Sequence, residues 1–177
     1  DIFEDLYRHD VIAGSAVDLM STLPFSDWTL TGADDKQIEV FESNIERLNL
    51  KTMLPELSVD YLVKGTFVGT LVYKAENKMF TDIIPQDIRN CEVIPTPLYG
   101  TDPLLKMTIP EEMKQFINSP EPYFQRLRER LSDNMIKAMR GSNVTLDPLT
   151  TLFIPRRTFT NDNEGTSIFR RLVPIYL

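Results

Sequence analysis

Thr66-Phe67-Val68-Gly69-Thr70-Leu71-Val72-Tyr73 is rich in β-branched and aromatic side chains, and after Glu76-Asn77-Lys78 the chain resumes with Met79-Phe80-Thr81-Asp82-Ile83-Ile84. Side chains of this kind fit a pleated, half-buried surface, and polar residues such as Glu76-Asn77-Lys78 make a turn, so the two runs predict a β-hairpin. Glu92-Val93-Ile94-Pro95 and Leu104 to Ile109 are candidates for further strands. Pro85, Pro95, Pro97 and Pro103 punctuate the region and favour edge strands and extended loops, because proline cannot donate to a ladder. Residues 65–109 are therefore strand-rich.

Upstream, residues 1–64 read as helical. From Tyr7 to Leu23 the apolar residues Ile12, Ala16, Leu19, Met20 and Leu23 recur at helical spacing and stop at Pro24, which predicts a core-facing helix. Ser26 to Gly32 alternates polar with apolar, as a short strand does, with Trp28 as its anchor. Asp34 or Asp35 caps a helix whose stripe Ile38, Phe41, Ile45, Leu48 forms one buried face, the other face being acidic. A further helix is expected from about Thr52 to Val63, with Pro55 in its first turn, Leu54, Leu57 and Leu62 inward, and Gly65 at its end.

Downstream, Pro110 opens a short helix that Pro120 and Pro122 terminate. Phe124, Leu127, Leu131, Met135 and Met139 mark one amphipathic helix ending at Gly141, so residues 110–141 are helical. Ser142-Asn143 is a turn, Thr150 to Ile154 a strand, and Ile168, Leu172 and Ile175 the beginning of a helix within residues 150–177. The class is α+β, antiparallel hairpin strands packed with amphipathic helices, in a single domain or a fragment of a longer chain.

A chain of 177 residues with 42% hydrophobic and 25% charged side chains has enough apolar material to bury a core. It starts at Asp1 and stops inside the apolar run Leu172 to Leu177, and so reads as cut from something longer. No stretch approaches the roughly 20 apolar residues that span a bilayer, and no signal peptide is evident, so no membrane association is expected. Cys91 is the single cysteine, which excludes an internal disulfide or cysteine-based zinc site and suits assembly in a reducing cytoplasm. The net charge of -7 argues against a protein that grips nucleic acid through its phosphates. The acid is uneven: residues 1–120 carry 10 basic and 20 acidic side chains, residues 121–177 carry 9 and 6, so an acidic body meets a basic C-terminal third.

Signals of catalysis are weak. His9 is the lone histidine, beside the first helix, and Gly65 to Gly69 lacks the lysine of a phosphate-binding loop. Asp34-Asp35, Glu111-Glu112 and Asp162 with Glu164 fit capping and solvation better than a hard-cation site. Gly165-Thr166-Ser167 lacks the second glycine of a nucleophile elbow and reads as a loop entering a helix. No catalytic residue, metal ligand or cofactor is assigned. Arg156-Arg157 and Arg170-Arg171 stand out, since adjacent arginines near a strand end and a helix start meet phosphates or carboxylates of a partner. Salt bridges to Asp147, Asp162 and Glu164 are their structural alternative.

The phrase Phe153-Ile154-Pro155-Arg156-Arg157-Thr158-Phe159, followed by Glu164-Gly165-Thr166-Ser167-Ile168-Phe169-Arg170-Arg171-Leu172, resembles the portal proteins of tailed bacteriophages. Val17 to Pro24 is similar to that family's first helix and its exit, and Leu62 to Phe67 to its helix, glycine, strand passage. The three blocks come in the family's order and run across nearly the whole chain. The resemblance implies the N-terminal, wing-like part of a portal subunit, without the complete stem, clip and crown. It further implies a twelve-subunit ring at one capsid vertex of the virion, contacting the major capsid protein, the terminase packaging motor and the tail connector. Double-stranded DNA would slide through that ring without sequence specificity during packaging and ejection, the separate motor supplying the energy. On that reading Arg156, Arg157, Arg170 and Arg171 are candidates for a subunit interface or DNA-proximal surface. Two other classes remain open: another virion structural or scaffold protein, and a carboxylate-metal hydrolase, which requires three or more converging carboxylates.

Overall fold

A computed structural model describes residues 1–27, 29–32, 34–74, 76, 79–96, 103–129, 133–156 and 164–176. The fold is α+β. Contacts divide the chain into two compact units, unit 1 comprising residues 1–67 and 154–177 and unit 2 residues 68–153, a division that the sequence patterning does not reveal. The acid is concentrated in unit 1, with 15 acidic and 9 basic side chains against 11 and 10 in unit 2.

Unit 1 begins with α1 (Ile2–His9) and α2 (Val11–Thr22). The periodic stretch expected to form one helix is thus two, because Asp10 turns extended and its Oδ1 accepts from the N–H groups of Ile12 (3.0 Å) and Ala13 (2.8 Å). A carboxylate there satisfies two orphan donors of a new helix. The inward face of α2 also differs from the expected one. Ala13, Gly14, Val17 and Ser21 are buried, whereas Ile12, Ala16, Leu19, Met20 and Leu23 are exposed. Close approach bears on the reversal: a Cβ on Gly14 would lie 2.6 Å from the Tyr7 carbonyl oxygen, so α2 can come this near α1 only on the face that carries Gly14.

Leu23–Phe25 forms a 3-10 turn, and the described residues from Ser26 to Gly32 make no strand, contrary to their alternation. Among the described residues no strand pairs with them, and an unpaired strand leaves its backbone groups unsatisfied. Trp28 lies outside the described residues. In α3 (Asp35–Arg47), capped by Asp34 through Lys36 N–H (3.1 Å), the stripe Ile38, Ile45 and Leu48 is only half-buried and Phe41 is exposed. The next helix, α4 (Leu50–Val63), starts two residues earlier than its sequence suggests, after Asn49 in the left-handed region at φ 50°. Pro55 is consequently inside the helix rather than in its first turn, at the loss of one backbone hydrogen bond. Ala13 and Val17 of α2, Leu62 and Val63 of α4, and Phe169 form the core of this unit, ringed by Phe3, Leu6, Tyr7, Val59, Tyr61, Ile168 and Leu172.

The predicted hairpin is present. Strands β1 (Thr66–Lys74) and β2 (Met79–Gln86) pair antiparallel, with Val68 opposite Gln86 and Thr70 opposite Ile84, and a bulge between Val72 and Tyr73. Asn77 and Lys78 of the expected turn lie outside the described residues. Pro85 sits within β2 opposite Gly69, where an edge strand tolerates it, since the sheet order is β2-β1-β6 with β6 spanning Thr151–Pro155.

A second sheet in unit 2 has the order β3-β4-β5, from β3 (Cys91–Ile94), β4 (Leu104–Thr108) and β5 (Asn143–Thr145). Asn143 is therefore a strand residue rather than part of a turn. In β4 and just beyond it Leu105, Met107 and Ile109 alternate inward, as a period of two requires, and pack with Val68 and Leu146 into the core of unit 2. Pro97 is outside the described residues.

Helix α5 (Glu111–Asn118) opens at Pro110 as expected. The single amphipathic helix predicted from Phe124 to Met139 is instead α6 (Pro122–Arg128) and α7 (Asp133–Met139), and Leu131 lies outside the described residues. Arg128 belongs to the end of α5 as much as to α6, because its Nη1 donates to the carbonyls of Ile117 and Ser119 at 2.6 Å each. It thereby occupies acceptors that a helix C-terminus leaves open. The chain ends, back in unit 1, on a 3-10 helix at Ile168–Arg171 and α8 (Val173–Tyr176). Among the described residues no helix is long and apolar enough to cross a membrane.

Candidate functional site

Gly65 decides the geometry of the region that holds the arginines. Its φ of 82° is a conformation that side-chain-bearing residues rarely adopt, and it turns the chain from α4 into β1. Turned this way, its carbonyl accepts from the Arg156 backbone N–H at 2.7 Å. The Arg156 carbonyl in turn accepts from Thr166 N–H at 2.9 Å, and Gly165 N–H donates to the buried Thr66 hydroxyl at 2.8 Å. The Gly65-Thr66 turn is thus laced to two segments that follow it far along the chain, one at Arg156 and one at Gly165-Thr166. Two glycines permit it: a Cβ on Gly165 would overlap the Gly65 carbonyl oxygen, and one on Gly65 would lie 2.7 Å from Thr166 N.

Ser167, buried, accepts from Phe169 N–H at 3.1 Å and so starts the 3-10 helix that carries Arg170 and Arg171. Phe169 drops into the core of unit 1, which leaves the two following arginines on the outer surface. The loop entering a helix expected at Gly165-Thr166-Ser167 is this turn.

The four candidate arginines have separate fates. Arg156 is half-buried and its Nη1 donates to the Thr166 carbonyl at 2.9 Å, so its guanidinium is committed to the joint. Arg157 lies outside the described residues, as does Asp162. Arg170 and Arg171 are exposed, and among the described residues neither forms an ion pair. Of the acids proposed as their structural partners, Asp147 accepts from its own turn at Leu149 N–H (2.9 Å) and Glu164 is exposed. What the fold presents is therefore one internal arginine and one exposed pair of positive charges. The glycine contact and the role of Thr66 were missed in the sequence, because each glycine alone looks like an ordinary turn residue.

Elsewhere, His9 ends α1 exposed to solvent. Cys91 is half-buried, and burial, with Asp87 adding to it, pushes its thiol up to about 11, away from reactivity at neutral pH. A depression of about 430 Å³ in unit 1 is lined by Thr29, Leu30, Glu42, Ile45, Glu46 and Lys51; its charged groups are all exposed to water. Among the described residues no group of three or more His, Cys, Asp or Glu stands close enough together to hold a metal ion. Compared with known proteins, the chain matches no family model, no curated protein and no solved structure.

Proposed function

We propose that this chain is the N-terminal, wing-like part of a tailed-phage portal subunit, one of the copies that ring a capsid vertex and conduct double-stranded DNA. The observation that carries the reading is convergence. The three sequence blocks that resemble portals, Val17 to Pro24, Leu62 to Phe67 and Phe153 to Leu172, contribute Val17, Leu62, Val63 and Phe169 to the core of unit 1. The last two blocks are also tied by the Gly65, Arg156 and Gly165 joint. Blocks that belong to one module of a family are expected to meet in this way.

Acidity supports the same reading, because a conduit that held phosphates tightly would arrest a moving duplex. On this proposal the partners are further copies of the subunit, the major capsid protein, the terminase motor and the tail connector, and the location is the portal vertex of the virion. The subunit itself performs no catalysis.

Electron microscopy of the full-length protein tests the proposal: closed rings with a central channel are expected. Fluorescence anisotropy with duplex DNA at moderate salt is expected to show weak, salt-sensitive and sequence-indifferent contact. Absence of rings, or tight binding that discriminates between sequences, overturns it.

A further inference from the structure

We propose that the outer edge of β6, at Thr151 and Phe153, is a docking site for an extended segment of a partner protein, which joins the sheet as an added strand. Hydrogen-bond parity shows which edge of the β2-β1-β6 sheet is open. The Thr150 carbonyl accepts from Leu71 N–H at 2.7 Å, so Leu71 and, two residues back, Gly69 turn their backbone groups toward β6. Val68, Thr70 and Val72 then turn theirs toward β2, onto Gln86, Ile84 and Asp82.

Ile83 and Pro85 are the residues opposite Leu71 and Gly69, and their backbone groups therefore face away from β1, along the outer edge of β2. That edge is closed to a full ladder: Ile83 N–H is taken by Asp82 Oδ1 at 3.0 Å, and Pro85 has no N–H. In β6 the same alternation, counted from Thr150, turns Thr151 and Phe153 outward. Among the described residues nothing accepts from either N–H. One edge of the sheet is blocked, and the other offers alternating donors and acceptors that another extended backbone matches. Pairing with β2 of another copy would complete only half a ladder, which favours a strand from a different protein.

A recess selects the side chain of that strand. Thr151 and Phe153, two apart on one face of β6, line an apolar recess of about 20 Å³ with Pro103, Leu105, Leu146 and Pro148, all in unit 2. A volume near that of one water admits a methyl group and no ring. The segment that fits therefore carries alanine or valine, rather than an aromatic residue, where it lies beside Phe153. In docking of this kind the backbone ladder supplies affinity and the side-chain recess supplies specificity. The inference is independent of the portal reading.

The probe that tests it is a library of capped octapeptides, random except for alanine or valine fixed at the centre, selected on the 177-residue chain. Hydrogen exchange read by nuclear magnetic resonance is expected to show the Thr151 and Phe153 amides slowed about tenfold or more by a selected peptide, with Ile83 unchanged. N-methylation of alternate peptide amides in one register should weaken binding about tenfold or more, and in the other register leave it within about twofold. Replacing the fixed residue by tryptophan should weaken it about tenfold as well. Peptides that leave Thr151 and Phe153 unprotected, equal effects of N-methylation in both registers, or a library that yields no binder overturn the proposal. Protection of both amides before any peptide is added also overturns it, because a second copy or another part of the chain then already occupies the edge.

Discussion

Substituting Gly165 by alanine puts a single methyl group where the Gly65 carbonyl oxygen already sits, and 2.6 Å from the Arg156 nitrogen. Both of those atoms are backbone, so no side-chain rotation relieves the overlap and the segments must part. Parting them breaks the Arg156 N–H to Gly65 carbonyl bond of 2.7 Å and the Gly165 N–H to Thr66 hydroxyl bond of 2.8 Å. It also strains the guanidinium bond from Arg156 to the Thr166 carbonyl. Neutral hydrogen bonds contribute about 0.5–1.5 kcal/mol each and charged ones about 1.5–3 kcal/mol. A loss of about 3–5 kcal/mol follows, a large part of the about 5–15 kcal/mol by which a folded domain is stable. Urea unfolding followed by far-ultraviolet circular dichroism measures it. Gly32→Ala is the control, since its Cβ meets only Ile38 Cγ1 at an ordinary 3.6 Å, and it should stay within about 0.5 kcal/mol of the parent. If Gly165→Ala loses less than about 1 kcal/mol, the joint does not hold unit 1 as argued.

Cys91, with its thiol raised to about 11, should react with a disulfide reagent about 100-fold more slowly at pH 8 than a thiol of ordinary pKa, and the rate should climb as pH approaches 11; fast reaction at pH 8 would contradict its burial. Because the unfolded thiol ionises first, its contribution to stability is complete below about pH 9 and declines as pH rises toward 11, which a pH series of melts over that window reads. Arg128→Ala should cost about 2–3 kcal/mol by uncovering the carbonyls of Ile117 and Ser119, and Arg128→Lys should recover part of it; an unchanged urea midpoint in both would remove Arg128 from the end of α5. Asp10→Ala should lower stability by about 1 kcal/mol by uncapping α2, while Asp10→Asn stays close to the parent. On the portal proposal, reversal of Arg170 and Arg171 to glutamate should impair ring formation by the full-length protein while its melting temperature holds, because both are exposed; normal rings from that variant would remove them from the proposed interface.

The strand-rich centre was legible because its signals are local. β-branched runs set β1 and β2, and the alternation of Leu105, Met107 and Ile109 sets the inward face of β4. Helix starts at Asp34 and Pro110 were legible for the same reason. Which face of α2 turns inward was not, because periodicity finds the most apolar stripe while packing here turns in the face of Ala13, Gly14, Val17 and Ser21, where Gly14 permits the close approach to α1. The break at Asp10 was hidden by an apolar period that continues through it, although an aspartate before Val11 is a cap signal in its own right. The division into two units was not legible at all, since it depends on residues 154–177 returning to residues 1–67.

The candidate site shows the same contrast between local and distant information. Read in isolation, Gly65 ends a helix and Gly165 begins a turn, and both assignments are correct as far as they go. Their physical function is joint: a Cβ on Gly165 would meet the Gly65 carbonyl and one on Gly65 the backbone of Thr166 and Ser167, so neither can be explained without the segment about a hundred positions away. The arginines divide along the same line. Arg156 lies between the two glycines and spends its guanidinium on the Thr166 carbonyl, whereas Arg170 and Arg171 follow the anchor Phe169 and face water. A rigid joint with an exposed basic pair just beyond it fixes two charges on the acidic unit at small entropic cost, because the backbone beneath them is already ordered. Preordered charge of that kind favours a partner that presents carboxylates or phosphates at the same spacing, and on the portal proposal it makes Arg170 and Arg171, rather than Arg156, the residues whose reversal should separate assembly from folding.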